Sequence, residues 1–142
     1  MRCEELMKED VRCVEPSETV KAAAIRLRDE NIGFLPVCGS DARVLGTLTD
    51  RDIAVRVDAA GLSASHCLVA DVMTPEVVFV RRAEEFEKAE QLMRQEKKSR
   101  IIVVDDGGHM CGIISLSDIA TFEDPARAGE TLRDVSSREV RT

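Results

Sequence analysis

This chain contains no tryptophan and no tyrosine, and aromatic residues make up only 3% of it. A protein that grips single-stranded nucleic acid by stacking bases on rings needs those rings, so the composition argues against that class. Positive charge is also in short supply: 20 lysines and arginines face 27 aspartates and glutamates, a net charge of −7. DNA and anionic membranes both call for a basic face, so neither is an expected partner. No apolar run approaches the roughly 18 residues that span a bilayer, and the opening MRCEELMKED lacks an apolar targeting segment. A soluble cytoplasmic protein is expected. Histidine occurs twice, as His66 and His109, and neither sits at metal-ligand spacing or beside a candidate nucleophile. No catalytic residue, no metal and no required cofactor are expected. The five cysteines, Cys3, Cys13, Cys38, Cys67 and Cys111, form no C-x-x-C pair and read as reduced thiols used as small core residues.

What is present is a sequence written twice. GTLTDRDIA (Gly46 to Ala54) returns 66 residues later as GIISLSDIA (Gly112 to Ala120). At the same offset Met7 falls on Met73, Val14 on Val80, Ala23 on Ala89 and Val37 on Val103. A unit of roughly 50 residues buries too little surface to be stable alone, whereas two can support each other. Each copy reads as a helical turn, then a strand, a helix, two strands around a polar turn, and a last helix. The strands are Val11–Val14 with FLPVC and RVLGTL, and Val77–Val80 with RIIVV and MCGIIS. The first long helix takes Pro16-Ser17 as its start and Gly33 as its end, with Val20, Ala24 and Leu27 as its apolar stripe. Its counterpart carries Phe86, Ala89 and Met93 and ends near Ser99. The repeats are read as 1–60 and 69–122, with 61–68 a linker and 123–142 a C-terminal helical extension. That extension has Asp124 as N-cap and Pro125 at the first helical position, with Ala128, Leu132 and Val135 on one face and Gly129 as a weak point.

The repeated junction has the form [ST]-x-x-D in both copies, Thr49 with Asp52 and Ser115 with Asp118. Two readings fit. One is a capping box, in which hydroxyl and acid satisfy backbone N–H groups and no ligand is involved. The other is a nucleotide site. A hydroxyl and a neighbouring Arg51 suit a phosphate, while an acid suits a ribose diol, whose two hydroxyls can both donate to one carboxylate.

The doubled set of DVMTPEVVFV, FLPV, GTLTDRDIA and GIISLSDIA resembles a tandem pair of CBS (cystathionine β-synthase) domains, a Bateman module, over roughly residues 3–121. The resemblance implies an α+β, sandwich-like fold of two pseudo-symmetric β-α-β-β-α repeats packed through their sheets, with two clefts that bind adenine nucleotides. It implies that Asp52 and Asp118 hold ribose hydroxyls and that Thr49 and Ser115 help hold phosphate. Val11, Arg12, Pro36 and Val37, and Val77, Val78 and Val103, are implied to lie against the base; core packing is the competing reading for the valines. Arg51 and Arg100 are candidate phosphate partners. The copies differ, since Ile102 stands at the position of Pro36, and Leu116 and Ser117 at those of Asp50 and Arg51.

The expected function is a regulatory module that senses AMP, ADP or ATP, or else S-adenosylmethionine or NAD, and changes its association with itself or a protein target. A homodimer is expected through the helices DIAVRV and DIATF. Two alternatives are a structural dimerisation module with vestigial sites, and a redox-responsive regulator in which Cys38 and Cys111 lie near each other.

Overall fold

The computed structural model describes residues 1–139. It is a mixed α+β fold that divides into two compact units. One comprises Arg12–Val77; the other joins Met1–Val11 to the residues from Val78 onward. The leading segment of the chain therefore belongs to the same body as the second repeat. None of the helices among the described residues is long and apolar enough to cross a membrane.

In the Arg12–Val77 unit, helix α2 (Val20–Glu30) precedes an antiparallel hairpin of β1 (Phe34–Cys38) and β2 (Val44–Thr49), and the short α3 (Asp50–Ile53) follows. Helix α3 runs on into a π-helical turn, Ala54–Asp58, and α4 (Val69–Val72) closes the unit. Thr19 caps α2, its hydroxyl accepting from Ala22 N at 3.1 Å, so the helix starts later than Pro16-Ser17. It ends earlier than Gly33, at Asn31, which adopts φ 54°; asparagine tolerates this left-handed conformation better than most residues. Val20, Ala23, Leu27, Leu35, Val37 and Leu48 are buried in one core.

The other unit contains α1 (Cys3–Leu6), β3 (Phe79–Arg81), α5 (Phe86–Glu96), β4 (Arg100–Val104), β5 (Met110–Ser115), α6 (Leu116–Phe122) and α7 (Pro125–Ser136). Its sheet has the order β3-β4-β5, with β3 parallel and β5 antiparallel to β4. Phe86, Ala89, Met93, Ile101, Val103 and Ile114 form its core. Helix α7 starts where Asp124-Pro125 indicates, with Asp124 accepting from Arg127 N at 3.3 Å. Its buried face differs from expectation. Val135 is buried, but Leu132 is 54% exposed and Thr131 is fully buried in its place.

The expected strand Val11–Val14 is reduced to one parallel bridge, Val14 with Val37. Val14 N donates to Pro36 O at 2.9 Å and Cys38 N to Val14 O at 2.9 Å. Proline has no N–H to extend the ladder. At the equivalent place Ile102 N donates to Val78 O at 3.4 Å, and there a strand, β3, forms. The bridge also brings Cys13 and Cys38 to a Cα separation of 5.7 Å, and they are disulfide-bonded. This corrects the expectation of five reduced thiols: Cys3, Cys67 and Cys111 alone are free, and Cys38 is paired with Cys13 and not with Cys111.

The leading segments are fixed by backbone pairing at the motif glycines. Lys8 N donates to Ile113 O at 2.9 Å and Ile113 N to Lys8 O at 3.0 Å. In the other unit Thr47 N donates to Thr74 O at 2.9 Å, and Thr74 N to Thr47 O at 2.8 Å. A Cβ on Gly112 would meet Lys8 O at 2.7 Å, and one on Gly46 would meet Thr74 O at 2.7 Å. Glycine is required at both places because a backbone carbonyl occupies the space. Gly112→Ala and Gly46→Ala are each expected to cost about 1–3 kcal/mol. Gly129→Ala in α7, where a Cβ meets nothing within 4 Å, should instead add up to about 1 kcal/mol. Urea unfolding of the three variants checks both signs; a neutral Gly112→Ala would remove the close-approach explanation.

Candidate functional site

Each [ST]-x-x-D junction sits where a strand turns into a helix, β2 into α3 and β5 into α6. In the first, Asp52 N donates to Thr49 Oγ1 at 3.1 Å and Thr49 N to Asp52 Oδ2 at 2.9 Å. This is a complete reciprocal cap. Asp52 Oδ1 lies 3.9 Å from Arg56 Nε, while the Arg56 guanidinium donates at 3.0 Å to both Val72 O and Met73 O. Arg56 thus ties the end of α4 beside the acid. Arg51 is exposed and forms no salt bridge among the described residues.

The second junction is arranged differently. Asp118 Oδ2 accepts from Ser115 N at 2.8 Å and from Ser115 Oγ at 3.1 Å. Lys8 reaches the same place from the leading segment. Its ammonium donates to Ser115 Oγ at 3.0 Å and to Ser117 Oγ at 3.1 Å, and it lies 3.4 Å from Asp118 Oδ1. The two serine hydroxyls are 2.6 Å apart. Asp118 is buried and Lys8 half-exposed. The result is a polar cluster with a cation, two hydroxyls and a carboxylate, open to solvent on the lysine side.

Lys8 was not among the residues expected from sequence. It lies 107 residues from Ser115, and the repeat places it opposite Thr74, not opposite a known cation. No sequence signal marks it: the Thr47–Thr74 pair that mirrors Lys8 and Ile113 by one repeat is itself visible only in the fold.

The remaining candidates divide between the units. Arg12, Pro36, Val37 and Val77 accompany Thr49, Arg51 and Asp52, whereas Val11, Val78, Arg100 and Val103 accompany Ser115 and Asp118. Pro36, Val37 and Val103 are buried and Val11, Val77 and Val78 half-buried, while Arg12 and Arg100 are exposed. Arg100 opens β4 directly opposite Ser115 in the sheet register, which places it beside the Lys8 cluster. Val103 belongs to the core cluster of its unit and Val37 to that of the other, in keeping with a packing role. Among the described residues no group of three His, Cys, Asp or Glu side chains is placed to hold a metal ion.

Two α+β repeats, each ending a hairpin in a hydroxyl-and-acid junction, define a tandem-repeat module. The chain belongs to the CBS-domain family: the family model matches residues 3–58 and 69–123, one domain in each repeat. It is 33% identical over 116 residues to hypoxic response protein 1 of Mycobacterium tuberculosis, covering 82% of this chain and 80% of that protein. A crystal structure of that protein, with two coordinated zinc ions, superposes with a TM-score of 0.79 over 87% of this chain and 100% of that one, at 31% identity. CBS domain-containing protein YhcV of Bacillus subtilis is 33% identical over 135 residues, 94% of each chain. The cytosolic domain of the Mg2+ channel MgtE, in complex with ATP, matches with a TM-score of 0.74 at 26% identity, over 84% of this chain and 48% of that one.

The caps have a stability role whatever else they do. Thr49→Ala removes the hydroxyl that accepts from Asp52 N and should cost about 1 kcal/mol. Thermal unfolding without any ligand checks it, and an unchanged midpoint would mean that the cap is dispensable.

Proposed function

We propose that this CBS pair is a regulatory module that binds an adenine nucleotide of the AMP, ADP or ATP type at its two junctions and acts by changing its association with itself or with a separate protein. S-adenosylmethionine and NAD share the adenosine part and are the other ligands to test. The carrying observation is the Lys8–Ser115–Ser117–Asp118 cluster. An ammonium with two hydroxyls suits a phosphate, and an acid beside it suits a ribose hydroxyl. The ATP complex of the MgtE cytosolic domain supports the adenine assignment. A bound nucleotide shifts the module only through different affinity for two states. No reaction is assigned to it. A cytoplasmic setting is part of the proposal, and the net charge of −7 argues against DNA and anionic membranes as partners.

The diol role of the acids is tested by Asp52→Asn and Asp118→Asn. Loss of a charge-assisted hydrogen bond is worth roughly 1.5–3 kcal/mol, so each variant should bind a nucleoside monophosphate about ten- to a hundredfold more weakly by calorimetry. Unchanged affinity in both would sink the assignment. Lys8→Ala and Arg51→Ala, titrated with mono-, di- and triphosphates of adenosine, report which cation meets phosphate. A loss that grows with phosphate number identifies the contact, whereas a uniform or absent loss shows a solvated side chain.

Self-association is supported by the solvent-facing Val55, 50% exposed, and Phe122, 47% exposed, on the segments that follow the two junctions. Light scattering at micromolar concentration should give twice the 15.7 kDa chain mass. A monomer across a wide concentration range would remove the dimer from the proposal.

A further inference from the structure

Glu90 of α5 is buried to 2% exposure in a place the ligand junctions do not use. The side chain of Glu123, the residue after α6, is 7% exposed. Glu123 is a neighbour that raises the Glu90 carboxyl by hydrogen bonding and by charge, and Glu90 Oε2 and Glu123 Oε2 are both buried without a donor. Two ionised carboxylates so placed would repel each other in a medium of low dielectric. One proton satisfies both orphan oxygens: held on Glu90, it is donated to Glu123.

The neighbouring charges do not supply an alternative donor. Glu123 Oε1 accepts from Asp124 N at 2.8 Å, and the Arg127 Nε of α7 lies 3.8 Å from Glu123 Oε2, beyond hydrogen-bonding distance. Thr131 of α7 gives its hydroxyl to Arg127 O at 3.0 Å; its contact with Glu90 and the charge of Arg127 pull the Glu90 carboxyl down, against the larger effects of burial and Glu123. Glu87, Arg94 and Asp134 line the rest of a groove of about 500 Å³ together with Glu90 and Arg127. Arg94 is paired with Asp134 at 2.7 Å, with Glu130 acting on it from α7. Burial, then the hydrogen bond and charge of Glu123, push the Glu90 carboxyl up to about 7.

We propose that the proton shared by Glu90 and Glu123 is a latch that holds the first half of α7 against α5 and α6, so that the helix docks more tightly as pH falls. The far end of α7 is tied separately, by Arg94 to Asp134 and by Lys97 Nζ donating to Ser137 Oγ at 2.7 Å. Helix α7 lies beyond the matched 69–123 segment, whereas Glu90 and Glu123 lie within it, so the latch joins the repeat to an element outside it. Its release frees the start of α7 alone, since Val135, which packs with Phe86, Ala89 and Met93, lies on the separately tied end. The docked state binds the proton more tightly than an exposed carboxyl, whose ordinary value is 4.5. The latch is therefore fully engaged below about 4.5, weakens as pH rises toward about 7, and is lost above that.

The test is amide hydrogen exchange of the full chain between pH 5 and 8, corrected for intrinsic rates. Opening of α7 should rise by up to tenfold per pH unit below about 7 and level off above it, while β4 shows no such slope. In Glu90→Gln the amide donates permanently to Glu123, so the slope should vanish and α7 should stay protected at pH 8. A flat wild-type profile, or a slope retained in Glu90→Gln, would overturn the latch. Carbon-13 titration of the Glu90 carboxyl in the unaltered chain is a readout that needs no variant: a midpoint near 7 supports the latch, and one in the ordinary carboxylate range overturns it.

Discussion

The close approach of two backbones at a glycine is the contact on which the candidate sites depend. At Gly112 the carbonyl of Lys8 sits where a side chain would start, and at Gly46 the carbonyl of Thr74 does the same. The pair of N–H···O bonds beside each glycine fixes the leading segment of one repeat to the motif strand of the other. That exchange explains why the compact units cut across the repeats. It also delivers Lys8 to Ser115, because Lys8 is itself paired with Ile113, two residues before Ser115. The glycine of each motif is thus a packing requirement three residues before the hydroxyl it helps to place.

One substitution between the copies shows how the same plan gives two results. Pro36 and Ile102 occupy equivalent positions, and only the isoleucine has an N–H to give to the preceding segment. The second repeat gains a third strand, and the first keeps a single bridge at Val14. The first repeat is held there instead by the Cys13–Cys38 disulfide, whose half-cystines flank that bridge. The Arg26 guanidinium also donates to Cys13 O at 2.5 Å.

Local chemistry was legible in the sequence and long-range placement was not. The repeat, the two long helices, the hairpins and the Asp124-Pro125 start of α7 all follow from periodicity, turn residues and caps, which act over a few positions. The helix end at Asn31 was missed because asparagine competes with glycine for the left-handed conformation, and Gly33 two residues on looked the better stop. The face of α7 was misjudged because Leu132 is apolar and Thr131 polar, while the neighbouring Glu90 makes the polar residue the one that is buried. The acids of both junctions could be found from spacing alone. Lys8 and the Cys13–Cys38 pair could not, since each is a contact made by strand pairing between segments that no local pattern links.

The two junctions also differ in how much acceptor capacity their acids retain, and this decides what each can hold. A carboxylate offers about four lone-pair sites. Asp52 spends one on Thr49 N, and its Oδ1 stands 3.9 Å from Arg56, too far for a hydrogen bond. It keeps enough capacity to take two hydroxyls. Asp118 gives Oδ2 to Ser115 twice over and Oδ1 faces Lys8 at 3.4 Å. A diol arriving there has to compete with groups already in place. The Lys8 side chain is 51% exposed, and an ion pair so solvated is worth at most about 1 kcal/mol. Lys8 can therefore leave the acid for an incoming phosphate at little cost, which frees Asp118 Oδ1 in the same movement. Under the proposed nucleotide reading, this accounting suits the first junction to the diol and the second to the anion.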